Sequence, residues 1–182
     1  MRIIGGTLKG RILPLPSSLP VKPTMSVARE GLFNILEHRV GIEGKTVMDL
    51  FAGTGAVGIE FLSRGARTVH AVEKNPLMVK WIKTVKQKWD LKDLIIHPKD
   101  VYHFLNFTQL KADIIFADPF YADPFMDEIV QYVFSRNLLQ EDGLLILEHG
   151  EKKSFQGHEF FLEERSYGNV HFTFFSVKKR EF

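Results

Sequence analysis

In Asp49-Leu-Phe-Ala-Gly53-Thr-Gly55-Ala-Val-Gly58, a buried strand runs into a glycine-rich turn and then into a helix. The strand is predicted over residues 46–50, and the helix over residues 56–64, where apolar side chains recur at helical spacing. Glycine permits the positive φ angles and the close backbone approach that such a turn needs. A strand, turn and helix in this order begin a right-handed crossover, so the stretch predicts a parallel sheet covered by helices.

The same alternation continues along the rest of the chain. Further strands are predicted at residues 68–72, 94–97, 112–117 and 143–148, and further helices follow Pro76 and Asp123. Near the end, residues 159–165 and 170–178 read as an antiparallel hairpin around the turn Ser166-Tyr-Gly-Asn169. We therefore predict an α/β fold of the Rossmann-like class, with a seven-stranded, mostly parallel sheet, helices on both faces and a C-terminal antiparallel hairpin.

The residues before the first sheet strand form a separate extension in this interpretation. Residues 1–43 are assigned to an N-terminal arm and a helix that Ser26 can cap, and residues 44–182 to the main domain. The first 29 residues contain basic side chains and no acidic one, and this bias favours contact with a phosphate backbone. Lysines at positions 80, 83, 86, 88 and 92 are more simply explained as the solvated face of a helix.

Composition narrows the class of protein. With 182 residues and 45% hydrophobic side chains, the chain can form one packed core. It has no cysteine, which excludes disulfides, thiolate zinc sites and a cysteine nucleophile, and no metal site is predicted. No apolar run approaches the roughly 20 residues of a membrane span, and the N-terminus lacks an apolar signal region. A cytoplasmic location is expected, and nothing in the sequence requires more than a monomer.

The glycine-rich turn matches G-x-G-x-x-G, a pattern that also marks dinucleotide-binding proteins. Glu73, twenty residues after Gly53, ends the second strand, where a carboxylate would bind a ribose diol. Two other acids favour S-adenosylmethionine (SAM). Asp49 could bind the ammonium of the methionine moiety, whereas an anionic pyrophosphate would gain nothing from an acid there. Asp100, after the third strand, could accept a hydrogen bond from the adenine amino group.

The predicted SAM site combines the glycine-rich turn with residues that follow the first four strands. It consists of Asp49, Phe51, Ala52, Gly53, Thr54, Gly55, Glu73, Lys74, Asp100, Val101 and Asp118.

A second motif, Asp118-Pro119-Phe120-Tyr121, follows the fourth strand and is the predicted catalytic set. An exocyclic amino group on a purine is a poor nucleophile because its lone pair is delocalised into the ring. The Asp118 carboxylate and the Pro119 carbonyl could hold such an NH₂ so that the lone pair points at the methyl donor, while Tyr121 or Phe120 stacks on the flipped base. Orientation would supply most of the rate, with electrostatics helping as the nitrogen becomes positive.

With these motifs in place, the chain resembles the bacterial small-subunit rRNA guanine-N2 methyltransferases of the RsmD type, over essentially its whole length. Besides both motifs and the Ser166 turn, the resemblance includes Arg2-Ile-Ile-Gly-Gly-Thr-Leu-Lys-Gly10-Arg11 and residues 22–34, Lys-Pro-Thr-Met-Ser-Val-Ala-Arg-Glu-Gly-Leu-Phe-Asn. It implies methyl transfer from SAM to a guanine amino group in 16S rRNA, with the assembled small subunit as the usual substrate. It also implies cofactor, base or phosphate contacts for the following residues: Lys9, Arg11, Lys22, Thr24, Arg29 and Asn34.

Two positions depart from that family pattern. Phe120 replaces the usual second proline of Asp-Pro-Pro, which keeps the Pro119 carbonyl and makes the loop less rigid. Lys22 stands where the family usually has arginine, so the charge is kept and bidentate phosphate binding is lost.

Three other functions stay open at this point. An adenine-N6 DNA methyltransferase would use a similar catalytic motif, although this chain has no room for a separate target-recognition region. A non-catalytic RNA-binding assembly factor could keep the SAM fold, and a NAD oxidoreductase could share the glycine-rich turn.

Overall fold

The structure is a computed structural model that describes residues 1–13 and 26–178, with the backbone alone described for Ser26. Within these residues, seven strands and five α-helices follow a 3₁₀ turn in the N-terminal arm, Gly6–Leu8, and apart from one short helix they occur in the order that the sequence predicts. The strands are β1 Thr46–Leu50, β2 Thr68–Val72, β3 Leu94–His97, β4 Ala112–Ala117, β5 Leu139–Gly150, β6 Phe161–Tyr167 and β7 Val170–Phe175. The helices are α1 Ser26–Arg39, α2 Ala56–Ser63, α3 Pro76–Trp89, α4 Val101–Phe107 and α5 Met126–Ser135.

All seven strands join one sheet, in the order β3-β2-β1-β4-β5-β7-β6. The first five strands run parallel, and β7 pairs antiparallel with both β5 and β6. The predicted fold class, including the C-terminal hairpin, is thereby confirmed. Strand order reverses between β1 and β4, and in open parallel sheets this switch point is where ligands bind, outside the carboxyl ends of the strands.

Each face of the sheet has its own apolar layer because successive strand residues point to opposite sides. Val47, Ile114 and Phe172 pack with α1, α2 and α3. On the opposite face, the alternate positions Met48 and Ile115 pack with α4 and α5. The layers hold the carboxyl ends of β1, β2 and β4 in a fixed arrangement. Among the described residues, none belongs to a helix that is long and apolar enough to cross a membrane.

The N-terminal arm packs on this frame instead of extending from it. Ile3 and Leu13 are buried in the same apolar layer as α1 and α2. The buried Glu60 carboxylate in α2 accepts hydrogen bonds from the backbone N–H groups of Ile4 (2.8 Å) and Gly5 (2.7 Å). Since an unpaired buried carboxylate is costly, these bonds fix the arm to α2.

Local turn chemistry shifts two predicted boundaries and adds one helix. The helix predicted to start at Asp123 begins at Met126, because the Asp123 carboxylate accepts from the Phe125 N–H at 2.9 Å and closes a turn there. The short α4 was not predicted. The hairpin turn is narrower than Ser166–Asn169, since β6 extends to Tyr167 and Gly168 turns the chain with φ +64°.

Candidate active site

The glycine-rich turn lies at the carboxyl end of β1 and leads directly into α2. Phe51, Gly53 and Gly55 all have positive φ angles, of 62°, 53° and 77° respectively. The two glycines adopt these angles without strain, whereas Phe51 does so at a cost that the surrounding structure must offset. The turn presents backbone N–H groups and the start of a helix toward the switch point, a surface suited to a polar ligand.

Glu73, at the end of β2, is joined to this turn by hydrogen bonds. Its Oε2 accepts from the Gly53 N–H at 2.8 Å, and its Oε1 accepts from the Asn75 N–H at 2.7 Å. Asn75 in turn caps α3 by accepting from the Leu77 N–H at 2.9 Å. The carboxylate is thus held rigidly beside the turn, and carboxylate oxygens can accept further bonds from a ribose diol.

Asp49 is 1% exposed, and its Oδ2 accepts from the Gly58 N–H of α2 at 2.9 Å. Burial raises the pKa of Asp49 to about 7, and the negative charges of Asp118 and Glu73 add to that rise, against the Gly58 hydrogen bond. Three carboxylates therefore converge at the switch point. A cationic group bound among them would relieve their repulsion, whereas an anionic one would increase it.

Asp100 has a structural role that the sequence did not predict, as the N-cap of α4. Its Oδ1 accepts from the N–H groups of Tyr102 (3.0 Å) and His103 (3.3 Å), and its Oδ2 from Lys74 Nζ (3.2 Å). These bonds lower the pKa of Asp100 against the effect of its partial burial. The side chain stays partly exposed beside the buried Val101, so it keeps acceptor capacity for a ligand.

Two further predicted cofactor residues, Ala52 and Thr54, lie within the glycine-rich turn. Ala52 and Thr54 are buried, and the Ala52 N–H donates to the Val72 carbonyl at 2.9 Å, which joins the turn to the end of β2.

The Asp118-Pro-Phe-Tyr loop follows β4, the strand next to β1 across the switch point. Asp118 is half-buried and Pro119 is buried, whereas Phe120 is 86% exposed. The loop is closed by a bond from the Asp123 N–H to the Phe120 carbonyl at 2.8 Å. The catalytic motif and the predicted cofactor turn are thus at the same edge of the sheet.

Glu148, near the end of β5, was not singled out from the sequence, and it fixes the orientation of Tyr121. The Tyr121 hydroxyl donates to Glu148 Oε1 at 2.9 Å. The ring lies so close to Gly150 that a Cβ there would come within 2.9 Å of it. Burial, and then the Glu148 charge, raise the pKa of Tyr121, so its hydroxyl stays a donor. The sequence signal that could have identified Glu148 is its position as an acid at the end of a strongly apolar strand.

An aromatic row joins the two loops. The rings of Phe51 and Tyr102 lie 6.1 Å apart, and those of Tyr102 and Phe125 lie 6.0 Å apart, both edge to face. The Tyr102 hydroxyl donates to Asp123 Oδ2 at 2.8 Å. The three rings form an aromatic surface between the glycine-rich turn and the Asp118 loop, of a kind that favours flat aromatic ligands.

The residues predicted to contact substrate are scattered. Lys9 and Arg11 are exposed on the arm, and Asn34 is exposed on α1. Arg29 is 3% exposed, and its Nη2 donates to the Arg2 carbonyl at 2.7 Å, so the structure places it among the residues that hold the arm. Burial lowers the pKa of Arg29. Lys22 and Thr24 lie outside the described residues.

Across residues 1–13 and 26–178, no group of three or more His, Asp or Glu side chains is arranged to hold a metal ion.

Comparison with known proteins gives consistent results. The family model described as Conserved hypothetical protein 95 matches residues 1–176. The protein YlbH of Bacillus subtilis is 32% identical over 157 residues, covering 82% of each chain. The Ribosomal RNA small subunit methyltransferase D of Escherichia coli K12 is 31% identical over 150 residues, covering 81% of this chain and 74% of that one. The solved structure of yhhF from Escherichia coli superposes with a TM-score of 0.86 at 26% identity, covering 99% of both chains.

Proposed function

The chain belongs to the Conserved hypothetical protein 95 family, and from that premise we propose that it transfers a methyl group from SAM to the exocyclic N2 amino group of a guanine in 16S rRNA. Curated relatives carry the name Ribosomal RNA small subunit methyltransferase D, which supports the rRNA substrate and the enzymatic activity. The observation that carries the proposal is the meeting of a carboxylate-lined cofactor turn with the Asp118-Pro-Phe-Tyr loop at the switch point of the sheet.

The residues present fit SAM better than a dinucleotide. SAM carries a sulfonium and an ammonium, and the clustered carboxylates of Asp49, Glu73 and Asp118 favour cations. Glu73 would bind the ribose hydroxyls, Asp49 would lie nearest the methionine ammonium, and Asp100 the adenine. When bound, SAM supplies an electrophilic methyl group on a positively charged sulfur.

The catalytic loop would activate the acceptor nitrogen. The Asp118 carboxylate and the Pro119 carbonyl accept hydrogen bonds from the two amino protons, so that the nitrogen lone pair is turned out of the ring plane. As the new N–C bond forms and the methyl–sulfur bond breaks to leave a neutral thioether, the nitrogen becomes positive and Asp118 would stabilise that charge. One amino proton then leaves through Asp118 to solvent, which restores a neutral amine and an ionised carboxylate.

Tyr121 is the aromatic residue best prepared to stack on the base. Its ring is held by Glu148 and by the close approach of Gly150, and it is 45% exposed. A ring that is already oriented loses little entropy when a base stacks on it. Phe120, in the same loop, is more exposed than Tyr121, so its ring is less restricted before a base binds.

The test is transfer of labelled methyl from SAM to small subunits that lack guanine-N2 methylation, followed by nucleoside analysis. We expect N2-methylguanosine with the wild-type chain. With SAM at saturating concentration, we expect Asp118→Asn to lose at least about 100-fold in rate, the size of effect typical of a lost electrostatic or acid–base group. Full activity of Asp118→Asn would exclude the catalytic role of Asp118. Formation of N6-methyladenine in duplex DNA, without N2-methylguanosine in rRNA, would show that the substrate is DNA.

A further inference from the structure

Helix α3 has an outward face that carries exposed lysines without carboxylate partners. Its inward side packs Met78 and Ile82 into the core. The opposite side exposes Lys80, Lys83 and Lys88. Considering only the ranges 1–13 and 26–178, none of these three ammonium groups lies within 4.0 Å of a carboxylate oxygen, the distance within which other lysines of the chain find partners.

The outward face of α3 thus carries three exposed lysines within one helix of 14 residues. Lys80 and Lys83 are three residues apart on one helix, where like charges repel. Their repulsion slightly destabilises the helix, and among the described residues no carboxylate oxygen within 4.0 Å offsets it. A polyanion bound at this face would offset the repulsion between the lysines and would be attracted to each ammonium group.

The N-terminal arm brings further positive charge to the same helix. The Arg11 guanidinium lies over the Trp89 ring, 5.5 Å from its centroid, at the last residue of α3. A cation at this distance from an indole ring is attracted to it, so the contact holds Arg11 at the C-terminal end of α3. Arg11 is exposed, as is Lys9 two residues earlier. Two basic segments far apart in sequence are therefore joined on one surface.

The position of α3 connects this surface to the active-site cleft. The helix begins at Pro76, directly after Glu73 and its partner Asn75, and runs for 14 residues to Trp89. At 1.5 Å per residue its axis is about 21 Å long. The basic surface thus starts beside the predicted cofactor site, at the carboxyl ends of the strands. It ends at the arm, near the amino ends of the strands.

We propose that Lys80, Lys83 and Lys88, together with Lys9 and Arg11, form one surface that binds the phosphate backbone of the rRNA substrate outside the active site. We call it the α3–arm surface. The inference rests on the proposed function, because it assumes an RNA acceptor. Phosphate contacts position a nucleic acid without reading its sequence, so this surface would fix the substrate while the catalytic loop selects the base.

The test compares two triple variants of the full-length chain. K80Q/K83Q/K88Q removes three charges from the α3–arm surface. The control, K45Q/K111Q/K178Q, removes the same charge from positions just before β1 and β4 and after β7, where Lys45 and Lys178 already have acidic partners. Binding to unmethylated small subunits is measured at several salt concentrations, with SAM affinity and melting temperature measured on the same samples.

We expect K80Q/K83Q/K88Q to raise the dissociation constant for subunits at least tenfold and to reduce the slope of log K against log salt by about 2, which corresponds to three lost phosphate contacts. SAM affinity should be unchanged, and the control variant should bind as the wild type does. Equal affinity and salt slope for the two triple variants would overturn the inference while leaving methylation by the wild type intact. A wild-type chain that neither binds nor methylates subunits would instead overturn the proposed function.

Discussion

Asp49 has the most strongly altered environment of the acids in the candidate site. Its carboxyl group is buried beside Asp118 and Glu73, and its pKa is raised to about 7. In the unfolded chain the same group would have the ordinary value of about 4. Because the folded state holds the proton more tightly, this group's contribution to the free energy of unfolding decreases as the pH rises between about 4 and 7. The ionised form of Asp49 is therefore unfavourable in the folded chain unless a cation binds beside it.

We expect SAM affinity to depend on this proton. If the ammonium of SAM binds the ionised form of Asp49, the proton must leave, so affinity should rise by about tenfold between pH 6 and pH 8 for a group with a pKa of about 7. Asp49→Asn should bind SAM more weakly and lose that dependence. Calorimetric titration with SAM at both pH values, in buffers of different ionisation enthalpy, would measure affinity and released protons together. A pH dependence that persists in Asp49→Asn would assign the proton to another group.

At the scale of elements, the contact between the arm and α2 depends on two small residues. The 3₁₀ turn of the arm lies on the C-terminal end of α2, where the Leu8 N–H donates to Ser63 Oγ at 2.9 Å. Gly6 has a φ of +71°, and a Cβ there would lie 1.8 Å from the Ser63 carbonyl oxygen. No side chain can be accommodated at this position unless the arm moves away from α2.

Gly10 provides the matched control, since its φ is +84° and a Cβ there would meet nothing within 4 Å. We expect Gly10→Ala to lower the free energy of unfolding by about 1–2 kcal/mol, the cost of the left-handed conformation alone. Gly6→Ala should cost about 1–3 kcal/mol more, because it adds steric overlap. Chemical denaturation compares the two variants, and hydrogen exchange at Ile4 and Gly5 reports release of the arm. Equal stability of the two variants would contradict the docking geometry.

The elements that the sequence predicts well are those with a long periodic pattern. The alternation of apolar runs is sufficient for the parallel strands and for α2 and α3, because burial on both faces of a sheet leaves a strong signal. Helix α4 was missed because it has only seven residues and its start depends on Asp100, which was interpreted as a ligand contact. The two uses of Asp100 cannot be distinguished without the positions of the Tyr102 and His103 N–H groups.

Contacts between distant residues account for the other differences. Glu60 binds the arm 55 and 56 residues earlier in the chain, and Tyr121 binds Glu148, 27 residues later. Neither pair leaves a local pattern. The family resemblance implied a cofactor, base or phosphate contact for Arg29, whereas the structure buries it against the arm. The glycine-rich turn was predicted because its conformation depends on ten consecutive positions, whereas its contact with a cofactor stays a prediction.

At the scale of the whole molecule, the cofactor that the chain binds can be identified from the rise in melting temperature that each ligand causes. A ligand that binds only the folded chain stabilises it by about 2.7 kcal/mol at 100 times its dissociation constant. For a domain of this size, that raises the melting temperature by about 5–10 °C. We expect this shift with SAM and none with NAD, because the three clustered carboxylates repel a pyrophosphate. Thermal melts with each ligand separate the two cofactors without any RNA.

Glu73 is the residue on which that shift should depend most. It holds the turn through Gly53 and α3 through Asn75, and we propose it as the acid that accepts hydrogen bonds from the ribose hydroxyls. Loss of charge-assisted bonds to the ribose should weaken SAM binding by about 1–3 kcal/mol, so that Glu73→Gln loses most of the shift, measured against its own ligand-free melt. Comparing each variant with its own ligand-free form separates lost binding from lost stability. A full SAM shift in Glu73→Gln would remove Glu73 from the site, and a shift with NAD alone would mean that the glycine-rich turn serves a dinucleotide.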